Sequence, residues 1–141
     1  MTANTTDTLW ETIRREAQED IEREPMLASF FYQVIMNHRS FEDALSYRLA
    51  TKLDSVNLPA VGLRDLIEEA MHQDHRIGEC ARADIQAVIT RDPACKRYST
   101  PLLFFKGYQA LQAYRVAHYY WGVGRTSLAL FLQSRISEVF A

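Results

Sequence analysis

The chain has 141 residues and a formal charge of −2, with 48% hydrophobic, 24% charged and 11% aromatic residues. That profile fits one globular domain with its own core, and it excludes a disordered tail, a collagen-like fibre and a disulfide scaffold. The slight acidity also excludes the basic footprint of a nucleic-acid binder, and two cysteines, Cys80 and Cys95, are too few for a secreted framework.

Met1 to Asp7 is polar and small, unlike the charged and then apolar opening of a signal segment. Apolar runs such as Leu128 to Leu132 fall far short of the roughly 20 residues that cross a bilayer. The expectation is a cytoplasmic protein with reduced thiols and no membrane partner. From Thr8 to Glu24, Trp10, Ile13, Ala17 and Ile21 recur at spacings of three and four, which predicts an amphipathic helix stopped by Pro25. Met26 to Asn37 predicts a second helix with a wide apolar face of Leu27, Phe30, Phe31, Val34 and Ile35. Ser40, with Asp43 three residues on, resembles a capping box and opens a helix striped with Phe41, Leu45, Leu49 and Leu53. Ser55 to Pro59 reads as a linker.

Leu63, Ile67, Ala70 and Met71 mark the next helix, and Asp74 caps the one after it, which carries Ile77, Ala81, Ile85 and Val88 and stops near Arg91. Ser99-Thr100-Pro101 is a hydroxyl cap with proline at the first helical position, and it predicts one long helix running to Gly122 or Gly124. A last helix spans Ser127 to Phe140. No segment sustains the period-two alternation of a strand. The fold class is therefore all-α, a compact bundle of six to eight helices over residues 1–141.

Charge is divided unevenly, with seven acidic and three basic residues in Asp7 to Glu24 against six basic and one acidic in Lys96 to Ala141. The plain reading is two solvated helix faces. His72 and His75 stand three apart, but Asp74 between them looks like a boundary and no third ligand follows, so no metal is expected. His118, within the aromatic run Tyr114 to Trp121, reads as a packed histidine. Cys95 has Arg91, Lys96 and Arg97 nearby, cations of the kind that lower a thiol pKa, although chance proximity is the better reading of them. Gly122-Val123-Gly124 ends a helix and cradles no phosphate. Asp92, in Arg91-Asp92-Pro93-Ala94, is either a helix N-cap with proline at the first position or a carboxylate presented at a loop. A loop carboxylate binds an ammonium group through a charge-assisted hydrogen bond.

Three blocks carry more. Residues 24–37 read EPMLASFFYQVIMN, residues 44–53 read ALSYRLATKL, and residues 84–121 read DIQAVITRDPACKRYSTPLLFFKGYQALQAYRVAHYYW. Together they resemble the amino-terminal helical domain of bacterial-type serine O-acetyltransferases, across essentially the whole chain. The resemblance implies an acyltransferase that moves acetyl from acetyl-CoA, a co-substrate, to the hydroxyl of L-serine. The product, O-acetylserine, leads to cysteine. It also implies a second domain, a left-handed parallel β-helix of hexapeptide repeats holding the coenzyme A site and the histidine base. No such repeat occurs here, so no catalytic residue and no cofactor site is expected in this chain. Asp92 matches the family's helical-domain carboxylate that contacts serine, in a pocket that also takes the feedback inhibitor L-cysteine.

The family assembles as two trimers joined through these helical domains. Trp10, Ile13, Phe30, Phe31, Phe41 and Leu45 are accordingly expected to supply a self-association surface. Contact with O-acetylserine sulfhydrylase, made by a carboxy-terminal tail in the family, is not expected. A stand-alone helical interaction module without catalysis is the alternative.

Overall fold

The computed structural model describes residues 7–141, which form eight α-helices and, among the described residues, no strand; residues 1–6 lie outside them. Helix α1 (Thr8–Arg23) opens on Asp7, whose carboxylate accepts the Trp10 N–H at 3.2 Å. It buries Trp10, Ile13 and Ala17 as the spacing requires. Beyond Pro25 the chain departs from the expected single helix. A 3-10 turn (Pro25–Leu27) leads into the short α2 (Ala28–Phe31) and then a π-helical segment (Tyr32–Met36). Proline removes the N–H that a regular turn needs, and the wider π turn accommodates one extra residue. Phe31, Val34 and Ile35 consequently face the core while Leu27 stays exposed.

Helix α3 (Phe41–Leu53) starts at Ser40, whose Oγ accepts the Asp43 N–H at 3.1 Å, and it buries all four residues of the expected stripe. Helices α4 (Ala60–Gln73) and α5 (Arg76–Arg91) follow. His75 occupies the cap position of α5, yet the Asp74 carboxylate accepts the Arg76 N–H at 3.1 Å from one residue further back. The long helix expected from Ser99 is two helices, α6 (Ser99–Phe104) and α7 (Lys106–Gly122), because Phe105 adopts extended backbone at φ −93° and ψ 106°. The break frees two carbonyls. Arg48 Nη2 donates to that of Leu103 at 2.5 Å and Gln109 Nε2 to that of Leu102 at 2.8 Å. Gly124, at φ 86°, takes the left-handed conformation that closes α7 and admits α8 (Thr126–Phe140).

Arginines from distant helices close the other ends. Arg14 donates to the Met36 and His38 carbonyls, each at 3.1 Å, and Arg135 to those of Leu53 at 3.1 Å and Asp54 at 2.8 Å. Arg82 on α5 binds Asp7 and Glu42 together while lying over the Phe41 ring, tying the start of α1 to α3. The most extensive packing is α7 on α8 and α3 on α4.

The core absorbs the residues expected to drive self-association. Trp10, Ile13, Phe31, Phe41 and Leu45 are buried, and Phe30 is half-buried in a stack on Phe104. The exposed apolar surface lies elsewhere, notably as Leu111, Tyr114 and Trp121 along α7. No helix among the described residues is long and apolar enough to cross a membrane.

Candidate functional site: the loop between α5 and α6

Asp92 is the C-cap of α5, its N–H donating to the Val88 carbonyl at 2.8 Å, and no helix begins at Pro93. The N-cap reading is therefore overturned in favour of the loop carboxylate. Its Oδ1 accepts the Ala94 N–H at 2.9 Å, a turn in which aspartate bonds its own backbone two residues on. The Asp92 carbonyl accepts the Cys95 N–H at 3.0 Å. Oδ2 takes no donor among the described residues, and the residue is part-exposed, so one carboxylate oxygen is held and the other is unengaged.

Cys95 points the other way. It is buried, its thiol lies 3.6 Å from the Arg97 carbonyl, and burial pushes its pKa up. Desolvation of the thiolate sets that direction, as the chance-proximity reading of the neighbouring cations expects. Arg97 turns to α1: it donates to the Glu16 carbonyl at 2.9 Å and pairs with Glu19 and Asp20, each at 3.3 Å. Glu16 is 5% exposed, and its two carboxylate oxygens accept the Ser99 N–H at 2.9 Å and the Tyr98 N–H at 3.0 Å. Sequence reasoning missed Glu16. Part of the acidic excess on α1 thus serves the basic loop instead of facing water, which corrects the reading of two solvated faces. The uneven charge was the available signal.

The histidines stand apart from this loop. His72 and His75 are exposed, with ring centroids 6.3 Å apart, and no three metal-ligating side chains converge among the described residues. They line a hollow of about 820 Å³ between α3, α4 and α5, whose walls include Asp65, Glu68 and Glu79. That hollow does not include Asp92. His118 is exposed and stacks on Tyr114 at 6.0 Å, so the packed reading fails; the exposed rim of α7 holds it. His38, unremarked in the sequence, is the buried one. Its Nε2 donates to the Gln33 carbonyl at 2.7 Å, Arg64 approaches Nδ1 at 3.4 Å, and burial lowers its pKa. Both ring nitrogens are committed to the fold.

The arrangement offers one half-engaged carboxylate on a braced loop and, among the described residues, no nucleophile hydrogen-bonded to a base. Comparison with known proteins agrees with the blocks around it. The family model for the serine acetyltransferase N-terminal region matches residues 9–113. Serine acetyltransferase of Haemophilus influenzae is 52% identical over 132 residues, covering 94% of this chain and 49% of that protein. A serine acetyltransferase solved in complex with cysteine is 52% identical with a TM-score of 0.92, over 94% of this chain and 52% of that one. The Neisseria gonorrhoeae enzyme, solved in complex with serine, is 46% identical with a TM-score of 0.91, over 97% and 56%. The chain spans about half the length of the curated relatives it matches. With a family model over most of its length and relatives at this identity, the chain belongs to the serine acetyltransferases, as their N-terminal helical region.

Proposed function

We propose that this chain is the substrate-contacting and assembly domain of a serine O-acetyltransferase, and that Asp92 receives the ammonium group of L-serine. The enzyme carries acetyl from acetyl-CoA to the serine hydroxyl in cysteine biosynthesis. Coenzyme binding and the general base belong to a second domain. The observation that carries the reading is the state of the Asp92 carboxylate, with Oδ1 fixed by the Ala94 N–H and Oδ2 free on a part-exposed loop. An ammonium approaching Oδ2 gains a charge-assisted bond to an acceptor already oriented for it. L-cysteine carries the same ammonium, so the same oxygen serves substrate and feedback inhibitor. Relatives solved with serine and with cysteine support this reading.

Asp92→Asn tests it in an enzyme carrying this domain joined to its second domain. Asparagine keeps the oxygen that accepts the Ala94 N–H and loses only the charge. A hydrogen bond to a charged group is worth about 1.5–3 kcal/mol, or roughly 10- to 150-fold in affinity. The Michaelis constant for serine and the inhibition constant for cysteine should rise together by that factor. The constant for acetyl-CoA and the melting temperature should hold. Unchanged serine and cysteine constants would return Asp92 to a purely structural turn.

For assembly, the exposed residues Leu111, Tyr114, His118 and Trp121 recur along α7 at spacings of three, four and three. That spacing is the seam by which helices pair. We assign self-association to this face.

A further inference from the structure

We propose that Glu16, on α1, is a positioning residue for Asp92, holding the loop in the pose that presents the free oxygen. The inference rests on the reading of Asp92 as the serine-contacting carboxylate.

A carboxylate buried as deeply as Glu16 is tolerated only when its oxygens are bonded. Both are, and both partners belong to the stem of the Asp92 loop: the Tyr98 N–H at 3.0 Å and the Ser99 N–H at 2.9 Å. These donors stand at the start of α6, where a helix has no acceptors of its own to offer. Arg97 adds a second grip on the same turn of α1, donating to the Glu16 carbonyl at 2.9 Å. Three consecutive residues, Arg97, Tyr98 and Ser99, are thus fastened to one residue more than 80 positions earlier.

The hold passes along the loop to Asp92. The buried Cys95 thiol meets the Arg97 carbonyl at 3.6 Å, and the Cys95 N–H donates to the Asp92 carbonyl at 3.0 Å. The Ala94 N–H then fixes Asp92 Oδ1. Apart from the last helical bond of α5 and the Thr100 N–H of α6 on the Arg97 carbonyl at 3.3 Å, the hydrogen bonds between loop 92–98 and other elements end on α1, among the described residues. Asp92 therefore has two main supports, the end of α5 and the anchorage on α1 that centres on Glu16, with Arg97 also paired to Glu19 and Asp20. Without the Glu16 carboxylate, the second support loses its bonds to Tyr98 and Ser99.

Glu16→Gln loosens the grip while keeping shape, since an amide oxygen accepts one N–H and its NH2 opposes the other. In the enzyme carrying both domains, this variant should raise the serine Michaelis constant and the cysteine inhibition constant together, by about 3- to 30-fold, in the range of couplings between neighbouring residues. The acetyl-CoA constant should stay put, and kcat should change less than the serine constant does. Amide exchange at Ala94 and Cys95 should quicken. Combined with Asp92→Ala, Glu16→Gln should add nothing further, because no carboxylate remains to be positioned. An equal effect in both backgrounds marks general destabilisation and overturns the inference. So does unaltered exchange at Ala94 and Cys95. If Glu16→Gln fails to fold, Glu16→Asp, which keeps the charge and shortens its reach to the Tyr98 and Ser99 N–H groups, carries the same test. A silent Asp92→Ala sinks the reading of Asp92 and this inference with it, whereas a silent Glu16→Gln beside an impaired Asp92→Ala sinks only the inference.

Discussion

At the scale of single residues, titration and visibility in the sequence both turn on burial. His38 has its pKa held below the ordinary 6.5, first by burial and then by the Arg64 charge, against the carbonyl of Gln33 and the carboxylates of Asp43 and Glu68. Arg14, bonded to the His38 carbonyl, adds a cation from α1, and Tyr47 on α3 packs against the ring. The folded state therefore keeps the ring neutral where the unfolded chain binds a proton. Stability is complete above about pH 6.5 and falls as the pH drops from there toward the depressed folded value. Denaturant melts between pH 8 and pH 5 should show this fall, and His38→Gln should flatten it. An undiminished slope in that variant would clear His38 of the role. Asp92 was singled out through the family motif around it, and the structure adds its place on the loop after α5. Glu16 was not, since a carboxylate on an amphipathic helix looks like surface, and its partners are backbone N–H groups with no sequence signature.

For the helices, interiors were legible and ends were not. The stripes of α1, α3, α4 and α5 follow from apolar periodicity, and each buries its stripe in large part. Local caps were legible too, at Ser40 and Gly124. The break at Phe105 was hidden because its freed carbonyls are satisfied by Arg48, 55 residues away, and by Gln109. The π-helical segment is likewise closed by Arg14 from another helix. Arg48 also lies over the Phe30 ring at 5.3 Å, so it joins α3 to α6 and to the segment after Pro25. Arg48→Met keeps much of the packing and removes the donor, leaving the Leu103 carbonyl unsatisfied. A buried acceptor so orphaned costs about 1–3 kcal/mol. Urea melts should show that loss with an unchanged slope, and wild-type stability in the variant would show that water replaces the guanidinium.

Over the whole molecule, burial of the aromatic residues of α1, α2 and α3 moves the expected assembly surface to α7. Between Gly107 and Gly122 the exposed side of α7 carries no formal charge outside Arg115, which is paired with Asp84 at 2.5 Å. A solvent face normally carries charge, and an apolar one marks an interface. Sedimentation equilibrium should therefore find the chain above monomer mass at high concentration. Tyr114→Glu with Trp121→Glu should return it to monomer without lowering its melting point. A strict monomer over a hundredfold range of wild-type concentration would rule the face out.

The far-off caps of α6 also set an order of events. A helix of six residues is well below the roughly 12–15 at which an isolated helix is even marginally stable. Its first N–H groups wait for Glu16, 83 residues upstream, and its last carbonyls for Arg48. It has its caps only once both α1 and α3 are in place beside it. On the folding pathway α6 is therefore expected to form late, after the transition state. Leu102→Ala, which empties a fully buried position, should speed unfolding while leaving the refolding rate within about twofold of wild type. Slowed refolding would place α6 in the nucleus instead. The loop bearing Asp92 thus adjoins a helix that is expected to settle late.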